Sequence, residues 1–183
     1  SKANRILGLI KRSFSFLDTD TFTKLFKALV RPHLEYGNAI WHPLFKKQSI
    51  AVERVQRRGT KFLANLKNLT YVERLKEVNL PSLKFRRLRG DLIQTFKIVN
   101  GVDKLDTNTF FQFTSYDKTR NYTNKIYINR YRTNLRKNCF SNRIAPYWNK
   151  LPTHVKNAKD VNHFKNLLEQ VQFIQDLKFL YDE

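Results

Sequence analysis

The sequence predicts a mainly α fold: a helical bundle followed by a mixed, mostly helical C-terminal region with at most a short β segment. Apolar residues recur at three- and four-residue spacing through most of the first hundred positions. Capping residues and glycine or proline stops bracket those stretches. Hydrophobic residues form 41% of the 183-residue chain and aromatics 14%, which separates it from disordered sequences and supplies a real core.

The elements run in order along the chain. Residues 2–12 read as a short helix with Ile6, Leu7 and Ile10 apolar. Asp18 or Asp20 caps the next, which spaces Phe22, Leu25, Phe26, Leu29 and Val30 along one side. Pro32 breaks or kinks that helix, because it removes a backbone donor and crowds the preceding turn. Leu29, Leu34, Tyr36 and Trp41 are then expected to pack around the corner. A third helix covers roughly 48–66. Thr70 and Glu73 make a capping box for a shorter helix. Pro81 comes next, and Ser82 caps a long helix to Asn100, stopped by Gly101.

Beyond Gly101 the texture changes, so the domain boundary is expected there: 1–101 helical, 102–183 basic and aromatic-rich. Alternation of Ile126, Ile128 and Tyr131 hints at a β segment within 125–134. Residues 135–152 read as a short helix ending in an aromatic turn, and an amphipathic helix runs from Asp160 towards Leu180.

Charge is the unusual quantity. Lys and Arg number 35 against 15 Asp and Glu, a net charge of +20. So large an excess repels itself unless a polyanion neutralises it, nucleic acid first and an anionic membrane surface second. In "SIAVERVQRRGTKFLANL", Arg54, Arg57, Arg58 and Lys61 fall within one arc of about 100°. Val52, Val55, Gly59, Phe62, Leu63 and Leu66 fill another. Surface helices are often charged, but here only Glu53 breaks the sign, leaving little provision for surface ion pairs. Four cations facing a phosphate backbone act together and make binding steeply salt-dependent.

Two further clusters stand out. Arg86, Arg87 and Arg89 crowd the first turns of the 82–100 helix, against its dipole. An anion bound between them, or a buried carboxylate elsewhere in the fold, relieves that cost. From Lys118 to Lys150 there are nine Lys/Arg (118, 120, 125, 130, 132, 136, 137, 143 and 150) and no Asp or Glu. Arg130, Arg132, Arg136 and Lys137 are the central binding candidates. Tyr122, Tyr127, Tyr131, Phe140, Tyr147 and Trp148 are interleaved; cations with exposed rings suit nucleic acid, whereas Phe140 and Trp148 read as core.

Catalytic signatures are scarce. The four histidines (33, 42, 154, 163) and the single Cys139 have no zinc-site spacing, and no glycine-rich phosphate loop or nucleophile elbow occurs. Asp18 and Asp20 sit where helix caps belong rather than where carboxylates converge on metal ions. Glu35 with His33 or His42 is an acid/base pair in outline, but reads better as local polar pairing. The lone cysteine, the missing secretory signal and the absence of a long apolar run fit an intracellular protein without a membrane span. The chain has no methionine and begins inside a helical pattern, as a piece cut from a longer polypeptide would.

"LFKALVRPHLEYGNAIWHP", "VERVQRRGTKFL", "YVERLKEVNLPSLKFRRLRGDLIQTFKIVNG" and "RKNCFSNRIAPYWNKLP" occur in that order. In this order and spacing the chain resembles the C-terminal part of reverse transcriptases from non-LTR (LINE-type) retrotransposons, of the jockey and chicken-repeat kind. The resemblance implies a thumb-like 1–101 that grips the template–primer duplex of RNA and DNA behind the active site. By position it makes Arg54, Arg57, Arg58 and Lys61, with Arg86, Arg87 and Arg89, candidates for phosphate contacts. It also implies that the Tyr-x-Asp-Asp aspartates, and the magnesium they hold, belong to an upstream palm that partners this region. No catalytic residue, metal or cofactor is then expected in the segment itself, which would work in the nucleus. Gly37 and Gly59 stand where alanine is expected and Cys139 where phenylalanine is common; helical glycines cost up to ~1 kcal/mol each, as in a decaying element copy. The alternative is a structural domain docking to the rest of its polypeptide or to an acidic partner, without catalysis.

Overall fold

Helix α1 (Lys2–Ser13) buries Ala3, Leu7 and Ile10, positions on one face at four- and three-residue steps. The chain is seen here in a computed structural model, which describes residues 1–114 and 125–182. Lys118, Arg120 and Tyr122 lie outside the described residues. Twelve α-helices occur among the described residues, and the β structure among them is an isolated antiparallel bridge between Phe113 and Ile126. The mainly α reading therefore holds. The alternation at 125–134 yields that bridge and no strand: Ile126 is buried, but Ile128 is exposed and has no neighbouring strand to pair with among the described residues.

The chain forms two compact units, one of Ser1–Asn38, Phe45–Arg87 and Leu177–Glu183, the other of Ala39–Leu44 and Leu88–Asp176. The division falls inside a helix and not at Gly101, since a glycine stop ends a helix without ending the contacts that the helix makes.

In the first unit, Asp18 accepts from the Thr21 N–H at 2.9 Å and caps α2 (Thr19–Leu25). Phe22 is fully buried at its centre. Pro32 does more than break the helix. Ahead of it the chain widens into a π-turn over Phe26–Val30, where the Arg31 N–H bonds to the Phe26 carbonyl at 2.9 Å. A wider turn relieves the clash that the proline ring would make with the carbonyl four residues earlier. Pro32 then opens α3 (Pro32–Glu35) at its first position, where its missing donor costs least. Leu34 packs against the core, but Leu29, Tyr36 and Trp41 are 46%, 89% and 49% exposed, so the expected corner packing does not form. Gly37 lies past α3 at φ +65°, the left-handed region where alanine is strained; it is not a helical glycine.

The expected 48–66 helix is α4 (Lys46–Thr60), followed by a separate 3₁₀ turn at Ala64–Leu66. Val55, Leu63 and Leu66 are buried as expected. Gly59 is a close-approach position: a Cβ there would lie 3.1 Å from Leu7 Cδ1 and 3.2 Å from Phe22 Cζ. Glycine lets α4 approach α1 and α2, which accounts for it without invoking decay.

The Thr70–Glu73 capping box of α5 (Tyr71–Glu77) forms, with the Thr70 N–H donating to Glu73 at 2.7 Å and the Glu73 N–H to Thr70 Oγ1 at 3.4 Å. Ser82 Oγ accepts from the Phe85 N–H at 3.1 Å and caps α6 (Leu83–Val99). The terminal segment returns to this unit. The Ser82 N–H bonds to the Lys178 carbonyl at 3.0 Å, and Tyr181 meets Tyr71 edge-on at 5.0 Å. Each apolar side chain fully buried in such a core contributes about 1.5–3 kcal/mol.

The second unit holds the rest of α6, then α7 (Thr107–Phe110), α8 (Asn134–Asn138), α9 (Phe140–Lys150), α10 (Thr153–Lys156), α11 (Val161–Gln170) and α12 (Gln172–Asp176). Trp148, Phe164 and Phe96 form its centre, with Phe96 stacked on Phe164 at 4.3 Å. Trp148 is core as expected, and Phe140 packs against Phe111 at 5.7 Å. Asp160 caps α11 through the His163 N–H at 2.8 Å. The expected single helix from Asp160 is two, separated at Val171, whose backbone is extended.

Candidate functional site

Arg54, Arg57, Arg58 and Lys61, the last being the residue that closes α4, are all exposed. Among the described residues no ion pair engages them; Arg58 instead donates to the Asn4 side chain at 2.7 Å, and Arg57 lies 5.8 Å from the Tyr71 ring centre. Crowding of positive charge is felt nearby. The buried Arg74 guanidinium is held below its ordinary range, first by desolvation and next by Arg57.

Glu53, the one acid of α4, does not dilute this face. It is buried, accepting from the Tyr71 hydroxyl at 2.7 Å and from the Leu83 N–H at 3.0 and 3.2 Å. Burial pushes its carboxyl above the ordinary range, against the lowering effect of the Tyr71 and Leu83 donors and of Arg87. Its carboxyl is engaged at the start of α6, where it accepts from a backbone N–H that the helix leaves free.

α1 adds cations that the local charge pattern did not single out. Its Lys2, Arg5, Lys11 and Arg12 are exposed, and the helix carries no acid. The Arg58–Asn4 bond, the Leu7–Gly59 approach and Lys11 placed 5.3 Å over the Phe62 ring set α1 alongside α4. The signal that could have found them is an acid-free helix preceding the one with the obvious stripe.

The arginines at the start of α6 are placed differently. Arg86 grips Glu35 with two bonds, 2.8 and 2.9 Å, and Arg31 adds a longer contact at 3.7 Å. Arg87 is buried and donates to Ser49 Oγ at 3.0 Å. Arg89 pairs with Glu169 at 2.7 Å. Of the two explanations for these cations, the carboxylate within the fold is the one the geometry supplies. It also gives Glu35 arginine partners in place of the histidine considered from sequence.

In the second unit Arg130, Arg132, Arg136 and Lys137 follow one another closely in sequence, and all four are exposed. Tyr127 and Tyr131 are 50% and 45% exposed, and Lys137 lies 6.0 Å from the Tyr131 ring centre. Arg143, from the same acid-free stretch, is instead committed to the buried Asp91.

The remaining candidates resolve as local structure. Asp18 caps α2, which holds its carboxyl below the ordinary range through the Thr21 hydrogen bonds, and Asp20 pairs with Lys24 at 2.6 Å. Among the described residues no group of three or more His, Cys, Asp or Glu side chains is placed to hold a metal ion, and no helix is long and apolar enough to cross a membrane. Compared with protein-family models, curated proteins and solved structures, the chain gives no match.

Proposed function

We propose that this chain is the thumb and C-terminal region of an RNA-directed DNA polymerase of a LINE-type retrotransposon, and that it grips a template–primer duplex through phosphate contacts on α4 and α1. The observation that carries the reading is the contrast within α4: Arg54, Arg57, Arg58 and Lys61 face solvent, while Glu53 is buried. A helix that hides its only acid and bares its cations suits a polyanion whose charge repeats regularly. Phosphate contacts position a duplex without reading its bases, as a polymerase working on any sequence requires. The ordered sequence motifs supply the polymerase part of the reading. Bond formation, and the magnesium for it, belong in this reading to an upstream palm of the same polypeptide, and the work is done in the nucleus.

The test is binding of a labelled RNA–DNA hybrid by the chain across a salt series. The logarithm of affinity should fall with the logarithm of salt at roughly 0.9 per phosphate neutralised. Replacing Arg54, Arg57, Arg58 and Lys61 by Gln should make the slope shallower by about 3–4 while the helical circular dichroism stays unchanged. A flat salt dependence of the parent chain would sink the proposal.

A second reading, docking to the rest of the polypeptide, draws on bare apolar residues after α1: Phe14 is 39% and Phe16 78% exposed. A stable complex with an upstream fragment, with no hybrid bound by the mixture, would favour it.

A further inference from the structure

We infer that the stretch from Tyr127 to Lys137 is a binding surface for single-stranded nucleic acid, in which Tyr127 and Tyr131 stack on bases while Arg130, Arg132, Arg136 and Lys137 hold phosphates. It differs in kind from the α4 surface and stands or falls separately from it. The four cations reach solvent, and no ion pair among the described residues engages them. The described acids of this unit are committed elsewhere: Asp91 to Arg143, Asp103 to Gln94 and Lys97, Glu169 to Arg89 and Asp176 to Gln172, while Asp106 and Asp160 cap helices. Among the described residues the local excess of charge therefore has no internal answer.

The rings separate a single strand from a duplex. Arg54, Arg57, Arg58 and Lys61 on α4 come without an exposed ring among them, which suits paired bases that keep their faces hidden. Here two tyrosines stand about half exposed beside the cations, and unpaired bases offer faces for them to stack on. Lys137 lies against the Tyr131 ring, so ring and ammonium meet a base and its phosphate together. Four residues of non-helical chain separate the rings by at most about 14 Å, within the reach of a few nucleotides.

The surface is also held in place. At one end the Asn149 side chain clasps Ile126, accepting from its N–H at 2.9 Å and donating to its carbonyl at 2.8 Å. At the other, Thr133 caps α8, and the Asn142 side chain donates to the Arg136 carbonyl at 2.8 Å. Ordering the tyrosines before binding reduces the entropy lost on complex formation.

The experiment measures fluorescence anisotropy of a labelled ten-nucleotide oligo-dT with the full chain, alongside the labelled RNA–DNA hybrid. Tyr127→Ala with Tyr131→Ala should weaken oligo-dT binding by about tenfold or more, given the stacking worth per base, and leave hybrid affinity unchanged. Tyr127→Phe with Tyr131→Phe should bind like the parent, because the ring face is kept. The α4 glutamine variant should show the reverse pattern, with hybrid binding weakened and oligo-dT binding retained. Both tyrosines are exposed, so folding is checked by an unchanged melting curve. The inference is overturned if the parent does not bind oligo-dT, if the alanine pair binds it like the parent, or if the phenylalanine pair loses as much as the alanine pair. Tyrosine-dependent binding to phosphatidylserine vesicles without oligo-dT binding would overturn it in favour of a membrane surface. Loss of hybrid binding alone would count against the α4 reading and leave this one standing.

Discussion

Arg143 clasps Asp91 with two parallel hydrogen bonds, Nε to Oδ2 at 2.9 Å and Nη2 to Oδ1 at 3.1 Å. The same guanidinium donates to the Asn138 and Ala39 carbonyls at 3.0 Å each. Both side chains are out of water, at 10% and 2% exposure, so each charge depends on the other for compensation. Removing one partner of a buried pair strands the other and costs about 3–5 kcal/mol. Arg143→Ala and Asp91→Ala are each expected to destabilise the chain by that order, while Arg143→Met with Asp91→Leu should lose much less than the two singles summed. Urea unfolding of the four proteins checks this. Additive losses would mean that the two side chains act independently.

Arg57 and Arg86 make a contrast between two arginines that the sequence treats alike. Arg86 holds Glu35 in a bidentate pair with both side chains 24% exposed, whereas Arg57 is exposed on the α4 face. Arg86→Gln should cost stability, towards the lower end of the ~1.5–3 kcal/mol for a charged hydrogen bond because water still reaches the pair, and should leave the salt slope of hybrid binding unchanged. Arg57→Gln should leave stability nearly unchanged and reduce that slope by about 0.9. The two variants measured in both assays separate a cation that holds the fold from one that meets phosphate.

Those two residues mark how far the sequence could be read. Spacing along one helix separates core from solvent, so the buried stripe and bare cations of α4 were legible, as were the caps at Asp18, Thr70 and Ser82, whose partners lie three residues away. Partners far apart in sequence were not. Glu35 lies 51 positions from Arg86, Asp91 52 from Arg143 and Glu169 80 from Arg89, and no local pattern records such pairings. Glu53 was misleading for the same reason: it read as a stray surface anion because its acceptor role towards Tyr71 and Leu83 comes from tertiary packing. The π-turn before Pro32 was half legible, since the proline's demand is local but its resolution depends on what the widened turn packs against.

Gly59 offers a test of packing. Alanine gains up to ~1 kcal/mol of helix propensity over glycine, but its Cβ meets the fully buried Leu7 and Phe22 at 3.1 and 3.2 Å. The two effects oppose each other, so Gly59→Ala should change stability by less than about 1 kcal/mol. Gly59→Val adds two methyl groups where no room exists and should cost about 1–3 kcal/mol. Thermal melts of the three proteins give the ranking, and a valine variant as stable as the parent would show that α1 and α4 are not in close contact.

Glu53 gives the chain a stability term of unusual sign. Burial raises its carboxyl above the ordinary 4.5, so the folded state holds that proton more tightly than the unfolded state does. Stability from this group is therefore greatest below the ordinary value, declines as pH rises through the window between the unfolded and folded values, and is level above it. Asp18, Glu73 and Asp160 are shifted downward by their capping hydrogen bonds and act in the opposite sense, losing stability as pH falls below their ordinary range. The windows do not coincide, so the contribution of Glu53 can be isolated. In urea titrations from about pH 4.5, the ordinary value of the carboxyl, to neutrality, the stability of the parent relative to Glu53→Gln should fall as pH rises and then level off. A relative stability that climbs over the same interval would mean that the donors of Tyr71 and Leu83 outweigh burial and that Glu53 is held as the anion.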